Sequence, residues 1–328
     1  MDGLSIRDGM TAELLPPALL LSSDRPALTP PRQQSLRTAI GCVGIGVHSG
    51  ARVSLGLHPA PADHGIVFRR TDLGRDIPAR YDHVVDARLA TTLGLPDDSS
   101  VRVGTVEHVL AALAGLGIDN ALITLDGPEV PILDGSAAPF TFLIDCAGIV
   151  DLPAARDVIE ILRPVRAADR DGFAELRPGR GGGLDLALSI DFAAAAIGRQ
   201  AVSLTLDPDS FRRELAAART FGLAEDIAAL RAAGLARGGS LDNAVVVDRD
   251  RVLNPGGLRM EGEFARHKLL DAVGDLALAG VAIAGRFVAH RSGHALNNRL
   301  LRALFADSAA WRPLAVAADL SLPVPAAA

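Results

Sequence analysis

Lysine is almost missing from this sequence: Lys268 stands alone among 33 basic residues, and the others are all arginine. A bias that strong makes the one surviving lysine a position where a guanidinium does not serve, because an ammonium is a compact point charge and a guanidinium a wide planar fork. Cysteine is nearly as scarce. Cys42 and Cys146 are the only two and no CxxC spacing exists, which argues against a cysteine-built zinc site or a disulfide framework and fits a reducing cytoplasm. A basic excess is lacking as well. With a net charge of −6, counterion release cannot drive binding, and no nucleic-acid partner is expected. No apolar run approaches the roughly 18 residues of a spanning helix, and the stretch Leu276–Gly285 is too short, so no stable membrane insertion is expected. Met1-Asp2-Gly3 lacks a basic n-region, so no secretory signal is expected either.

What is present is the composition of a globular protein. Hydrophobic residues make up 49% and charged residues 22%, and 328 residues suggest about two domains. Residues 1–31, rich in Pro, Ser and Leu without periodicity, read as a flexible N-terminal extension. Alternating stretches predict strands at Cys42–Val47, Ala51–Leu57, Ile66–Arg69, Ala121–Leu125, Val158–Leu162 and Val281–His290. Helices are predicted over Val106–Ala114 (capped by Thr105 and ended by Gly115 and Gly117), Pro208–Arg219, Glu225–Ala233, Glu261–Ala279 and Leu296–Ala306. The two kinds of element intermix without a strict βαβ rhythm, which points to an α+β fold. A break near Asp151-Leu152-Pro153 divides the chain into domain I, 32–152, and domain II, 153–328. The expectation is two similar domains, each a sheet layered against helices, with the active site between them.

Chemistry concentrates in three places. His267 and Asp271 are four apart on a predicted helix and so share one face, which Asp275 continues by a turn. Imidazole and carboxylate at that spacing suit two ligands of one zinc, although an i,i+4 ion pair on a helix surface uses the same pattern. Glu107-His108 opens another helix. A histidine ligand beside a carboxylate would bring a general base close to where a metal activates water, yet a lone Glu-His pair is more often simple charge placement. His294 follows a strand and precedes a helix, in a turn able to aim its ring into a cleft or merely to cap the helix.

Taken together with further motifs, these segments resemble one known family. They include Gly44-Ile-Gly-Val-His48-Ser-Gly50, Thr105-Val-Glu-His108, Pro131-Ile-Leu-Asp-Gly-Ser136, Arg219-Thr-Phe-Gly222 and Gly239-Ser-Leu-Asp-Asn243. His267-Lys-Leu-Leu-Asp271-Ala-Val-Gly-Asp275 and Ser292-Gly-His-Ala-Leu-Asn-Asn298 complete the run, in order, over roughly residues 33–306. The pattern is similar to that of the UDP-3-O-acyl-N-acetylglucosamine deacetylases of lipid A synthesis (the LpxC family).

The resemblance implies one Zn²⁺ per chain held by His108, His267 and Asp271, with Glu107 as general base. It implies that His294, protonated and oriented by Asp275, stabilises the oxyanion and helps the amine leave, with a hydrogen bond added by the Thr220 hydroxyl. It places Lys268 near the substrate's phosphates, Phe192 and Phe221 at its uridine end, and His48 nearby. Leu223, Ile227 and Leu230, at four- and three-residue spacing, would line a passage for the acyl chain, or else pack on the core. The chain departs from the family pattern at Ala194-Ala195, where a His-Pro pair is usual, at Arg291, where lysine is common, and at Thr91-Thr92, where some relatives have a cysteine. The implied enzyme is a cytoplasmic, monomeric amide hydrolase with a small-molecule substrate. Its rivals are another zinc amidohydrolase or peptidase, and a non-catalytic protein that binds acylated sugar nucleotides.

Overall fold

Apolar alternation builds the first sheet. In Arg52–Pro59 the side chains of Val53, Leu55 and Leu57 turn to the core while Ser54 and Gly56 face away. In the computed structural model, which describes residues 31–314, this strand is the second of five, ordered Ile40–Ile45, Arg52–Pro59, Ala121–Leu125, Ile66–Arg70 and Arg75–Pro78. Neighbours are antiparallel except Ile66–Arg70 beside Ala121–Leu125. A smaller sheet joins Val84–Asp86, Thr92–Leu95 and Asp98–Val103. The extension expected at 1–31 falls, but for its last residue, outside the described residues, as do 315–328 of the second half.

Helices α1 (Glu107–Gly115) and α2 (Ala138–Ala147) belong with these sheets. Every residue of α1 from Glu107 to Leu113 is buried, as suits a helix that is apolar nearly all round. It stops where Gly117 takes φ +82, which lets the Ile118 N–H reach back to the Leu113 carbonyl at 2.9 Å.

The second half is organised around the long strand Ala282–His290. It runs parallel to Leu184–Asp191 and to Val158–Ile161, and antiparallel to Phe173–Arg177, within a seven-stranded sheet. Phe221–Leu223, Val245–Asp248 and Arg251–Val252 form a separate small sheet. The helices here are α3 (Pro208–Ser210), α4 (Ala224–Ala232), α5 (Glu263–Ala277) and α6 (His294–Ala306). Among the described residues no large sheet mixes strands from the two halves; the ribbon of Arg32–Leu36 with Ile149–Ala155 lies at their junction. Helices layered on mostly antiparallel sheets, six helices among the described residues, make the fold α+β.

Three local expectations need correction. Thr105 does not cap α1: it sits at φ +57 with its hydroxyl on Glu129 Oε1, and Val106 occupies the cap position. The helix expected over Pro208–Arg219 is one capped turn, α3, followed by a π-turn at Phe211–Leu215. It cannot continue to Arg219, whose backbone N–H is bound by the Glu263 carboxylate instead of a helical carbonyl. Finally, α2 has no counterpart in the sequence reading, because Pro139 looks like a breaker although a first-turn proline is harmless.

Candidate active site

The site exists because α1 and α5 cross without a side chain between them. A Cβ on Gly274 would lie 2.0 Å from the Glu107 carbonyl oxygen, so only glycine permits this approach. The crossing brings the first turn of α1 onto the face of α5 that carries His267, Asp271 and Asp275. Glu107, His108, His267, Asp271 and Asp275 are each at most 4% exposed.

Two imidazoles and a carboxylate converge there. His267 Nε2 lies 3.3 Å and His108 Nε2 3.5 Å from Asp271 Oδ1. The three ligand atoms are all within 4.8 Å of one another. His267 Nδ1 lies 3.1 Å from the Ala218 carbonyl, which can only accept, so this nitrogen carries the proton and the Nε2 lone pair faces the cluster. Burial pulls the His267 pKa down to about 4, so the ring is a neutral ligand at ordinary pH. Burial also works against an ionised Asp271, but His267, Lys268 and His108 hold it well below the usual carboxylate range. Its Oδ2 accepts from Lys268 Nζ at 2.8 Å, whereas its buried Oδ1 has no hydrogen-bond partner among the described residues. An orphaned carboxylate oxygen between two imidazole nitrogens, one of them the lone-pair nitrogen of His267, is costly unless a cation completes it. The donor set therefore fits a divalent metal.

Beside the cluster stand an acid and a base. Burial pushes Glu107 above the usual carboxylate range, with His294 and His108 only partly opposing. His294 is the first residue of α6, not a turn residue two positions before it. Its Nδ1 bonds Asp275 Oδ2 at 2.9 Å, and its Nε2 lies 3.9 Å from Glu107 Oε1. Burial would lower the pKa of this ring, but Asp275 and Glu107 outweigh it and hold it at about 9. Two titratable groups 3.9 Å apart, one a carboxylate and one an imidazolium, are the pairing that general acid–base work requires.

These groups form the floor of a cavity of about 820 Å³, within the range of small-molecule sites. Lys268, Thr220, Phe192, Phe221, His48, Leu223 and Ile227 all line it. Phe192 meets Phe221 edge-on at 5.5 Å, and Phe221 in turn lies 6.2 Å from the His267 ring. Thr220 is fixed by its backbone, donating to the Gly135 carbonyl at 2.7 Å and accepting from Val245 N–H at 2.7 Å. The His48 turn is held by Glu129, which accepts from the backbone N–H groups of His48 and Ser49. Asp275 is the one expected site residue behind the wall rather than in it. Two supporting side chains have no assigned role in the sequence analysis. Asn297 donates to Asp275 Oδ2 at 2.8 Å and was findable, being three residues after His294 on one helix face. Thr91 is marked there only as a departure from the family pattern, and nothing local signals its bond to Asp275, 184 residues away.

Comparison with known proteins agrees with this geometry. The family model described as UDP-3-O-acyl N-acetylglycosamine deacetylase matches residues 33–306. A protein of Acidithiobacillus ferrooxidans named UDP-3-O-acyl-N-acetylglucosamine deacetylase is 52% identical, over 85% of this chain and 92% of its own length. Proteins of the same name from Shewanella frigidimarina and Anaeromyxobacter dehalogenans are 47% and 48% identical, each over 89% of this chain and over 95% and 93% of their own lengths. With a match that spans both halves and every group on the cavity floor, the chain belongs to the UDP-3-O-acyl N-acetylglycosamine deacetylase family.

Proposed function

We propose that this protein hydrolyses the N-acetyl amide of UDP-3-O-acyl-N-acetylglucosamine, releasing acetate and the free amine, as an early step of lipid A synthesis. The observation that carries the reading is the convergence of His108, His267 and Asp271 on one point, with Glu107 and His294 beside it, on the floor of one cavity. The cation assigned to that point is a single Zn²⁺, which when bound supplies a Lewis acid for the amide carbonyl and lowers the pKa of water.

The chain's own residues divide the remaining work. Glu107 takes a proton from the attacking water; its raised pKa makes it a better base than an exposed carboxylate. The His294 imidazolium, kept charged by Asp275, donates from Nε2 toward the oxyanion and then gives its proton to the departing nitrogen. Thr220 donates its hydroxyl to the same oxygen. Lys268 holds Asp271 Oδ2, which leaves Oδ1 for the metal, and presents its charge to the substrate's phosphates. Phe192 and Phe221 serve the nucleotide end, and His48 lies near the substrate. Leu223 and Ile227 serve the acyl chain, a reading supported by the lack of any buried residue in α4.

The same proposal takes the protein as a cytoplasmic monomer whose halves meet near Asp151-Leu152-Pro153, inside the strand Ile149–Ala155. No helix among the described residues is long and apolar enough to cross a membrane. The decisive experiment is incubation of the zinc-loaded protein with UDP-3-O-acyl-N-acetylglucosamine. Release of acetate, lost on chelation and restored by Zn²⁺, is the expected result. Tight binding of the sugar nucleotide without acetate would mean a binding protein instead.

A further inference from the structure

Thr91 belongs to none of the three helices, α1, α5 and α6, that carry the reacting groups and does not line the cavity, yet it touches both sides of the chemistry. It is 2% exposed and immediately precedes the strand Thr92–Leu95. Its backbone N–H donates to Glu107 Oε2 at 3.0 Å, and its carbonyl accepts from the Val106 N–H at 3.2 Å. Its side-chain hydroxyl lies 2.6 Å from Asp275 Oδ1. An ionised carboxylate can only accept, so the hydroxyl is the donor. The other oxygen of Asp275 is occupied by His294 Nδ1 at 2.9 Å and Asn297 Nδ2 at 2.8 Å.

We infer that Thr91 is a positioning residue that fixes the general base and the acid pair relative to one another, clasping Glu107 with its backbone and Asp275 with its hydroxyl. The inference rests on the roles proposed above for Glu107 and His294. Without the hydroxyl, Asp275 Oδ1 keeps only a 3.2 Å contact to His294 Nδ1. A buried carboxylate oxygen left short of donors recruits another, and the nearest is the His294 ring itself. Turning the carboxylate to share that ring moves His294 Nε2 relative to Glu107 Oε1, which lies 3.9 Å from it, and so disturbs the mutual placement of acid and base. Because Thr91 reaches Glu107 through its backbone, a side-chain substitution tests the Asp275 arm alone.

Thr91→Val removes the hydroxyl at nearly constant shape. Its kcat should fall about tenfold, the loss expected for a hydrogen bond to a charged group, while KM and zinc content stay within about twofold. Thr91→Ser should restore kcat. In an Asp275→Asn background Thr91→Val should cost nothing further, since the partner it acts through is already altered. If Thr91→Val does not fold, Thr91→Ala against Thr91→Ser makes the same comparison of hydroxyl lost with hydroxyl kept. Wild-type kcat in the valine variant, an equal loss in the serine variant, or an undiminished effect in the Asp275→Asn background overturns the inference. A readout independent of turnover separates it from the proposed reaction. The His294 Nδ1–H proton resonance should shift in Thr91→Val and return in Thr91→Ser. If the wild-type protein releases no acetate, the proposed function fails, and an unmoved His294 resonance then overturns this inference separately.

Discussion

At one end of the cavity α1, α5 and α6 bury the groups assigned to the reaction; at the other, α4 has no buried residue, although its Ile227 and Leu230 face the same space. The ionic end is held by Gly274 against the Glu107 backbone, by hydrogen bonds from Thr91 and Asn297, and by the bond that His267 Nδ1 donates to the Ala218 carbonyl. Buried charge is costly unless each group has its partner, so this end has one arrangement. The apolar end needs no such precision. A chain of methylenes gains by contact area, in no particular direction, and a lightly anchored helix can follow it. On the proposed roles, the difference teaches that one cavity can be closely held where bonds would be broken and lightly anchored where a hydrocarbon would lie.

The largest effects should come from the rigid end. His267→Ala should lose the metal and nearly all activity, as should His108→Ala and Asp271→Ala; full zinc occupancy and turnover in the His267→Ala protein would sink the site. Glu107→Gln should keep its zinc and lose at least about 10²-fold in kcat, the usual scale of general acid–base catalysis. If it lost metal instead and kept its activity per zinc, Glu107 would be a ligand.

At the compliant end the substitution Ile227→Asp should leave the melting temperature unchanged, because nothing in α4 is core. It should weaken turnover of long-chain substrate by about 10–100-fold, the worth of one buried aliphatic side chain, and barely touch a substrate lacking the acyl chain. Equal losses on both substrates would move the acyl passage elsewhere.

Smaller still is the effect of keeping charge but changing shape. Lys268→Arg should lower kcat/KM several-fold, since a planar guanidinium crowds His267 and cannot keep the same single contact to Asp271 Oδ2. Unchanged kinetics would make the lone lysine an accident of composition. The most delicate test is of pH. The His294 pKa is raised from 6.5 to about 9, so the ring keeps its proton at neutral pH and activity should fall as pH rises through about 9. Removing the charge with Asp275→Asn leaves burial less opposed, so the alkaline limb of kcat should move to lower pH. An unmoved limb would assign it to some other group.

Much of this was legible before the fold was known. Ala121–Leu125 is a strand over the residues that alternation marks, and α1 and α5 lie close to where capping and glycine signals put them. His267, Asp271 and Asp275 share a face for the reason their spacing gives. The failures are equally physical. Thr105 has the chemistry of a cap, but the buried Glu129 carboxylate competes for its hydroxyl and wins. The helix beyond Leu215 fails because Glu263 takes the N–H that would have continued it.

By itself the sequence determined most of the element types, the shared face of His267 and Asp271 on α5, the Glu-His pair on α1 and, through its ordered motifs, the family. Those properties depend on neighbours within a turn or two, where geometry is fixed by backbone periodicity. Only the tertiary structure decided that the pair on α1 meets the pair on α5, that Asp271 Oδ1 has no hydrogen-bond partner among the described residues, and that Thr91 bonds both Glu107 and Asp275. Those contacts join residues up to 184 positions apart, and no local preference specifies them. They arise when the helices pack, and Gly274 lets them pack that closely.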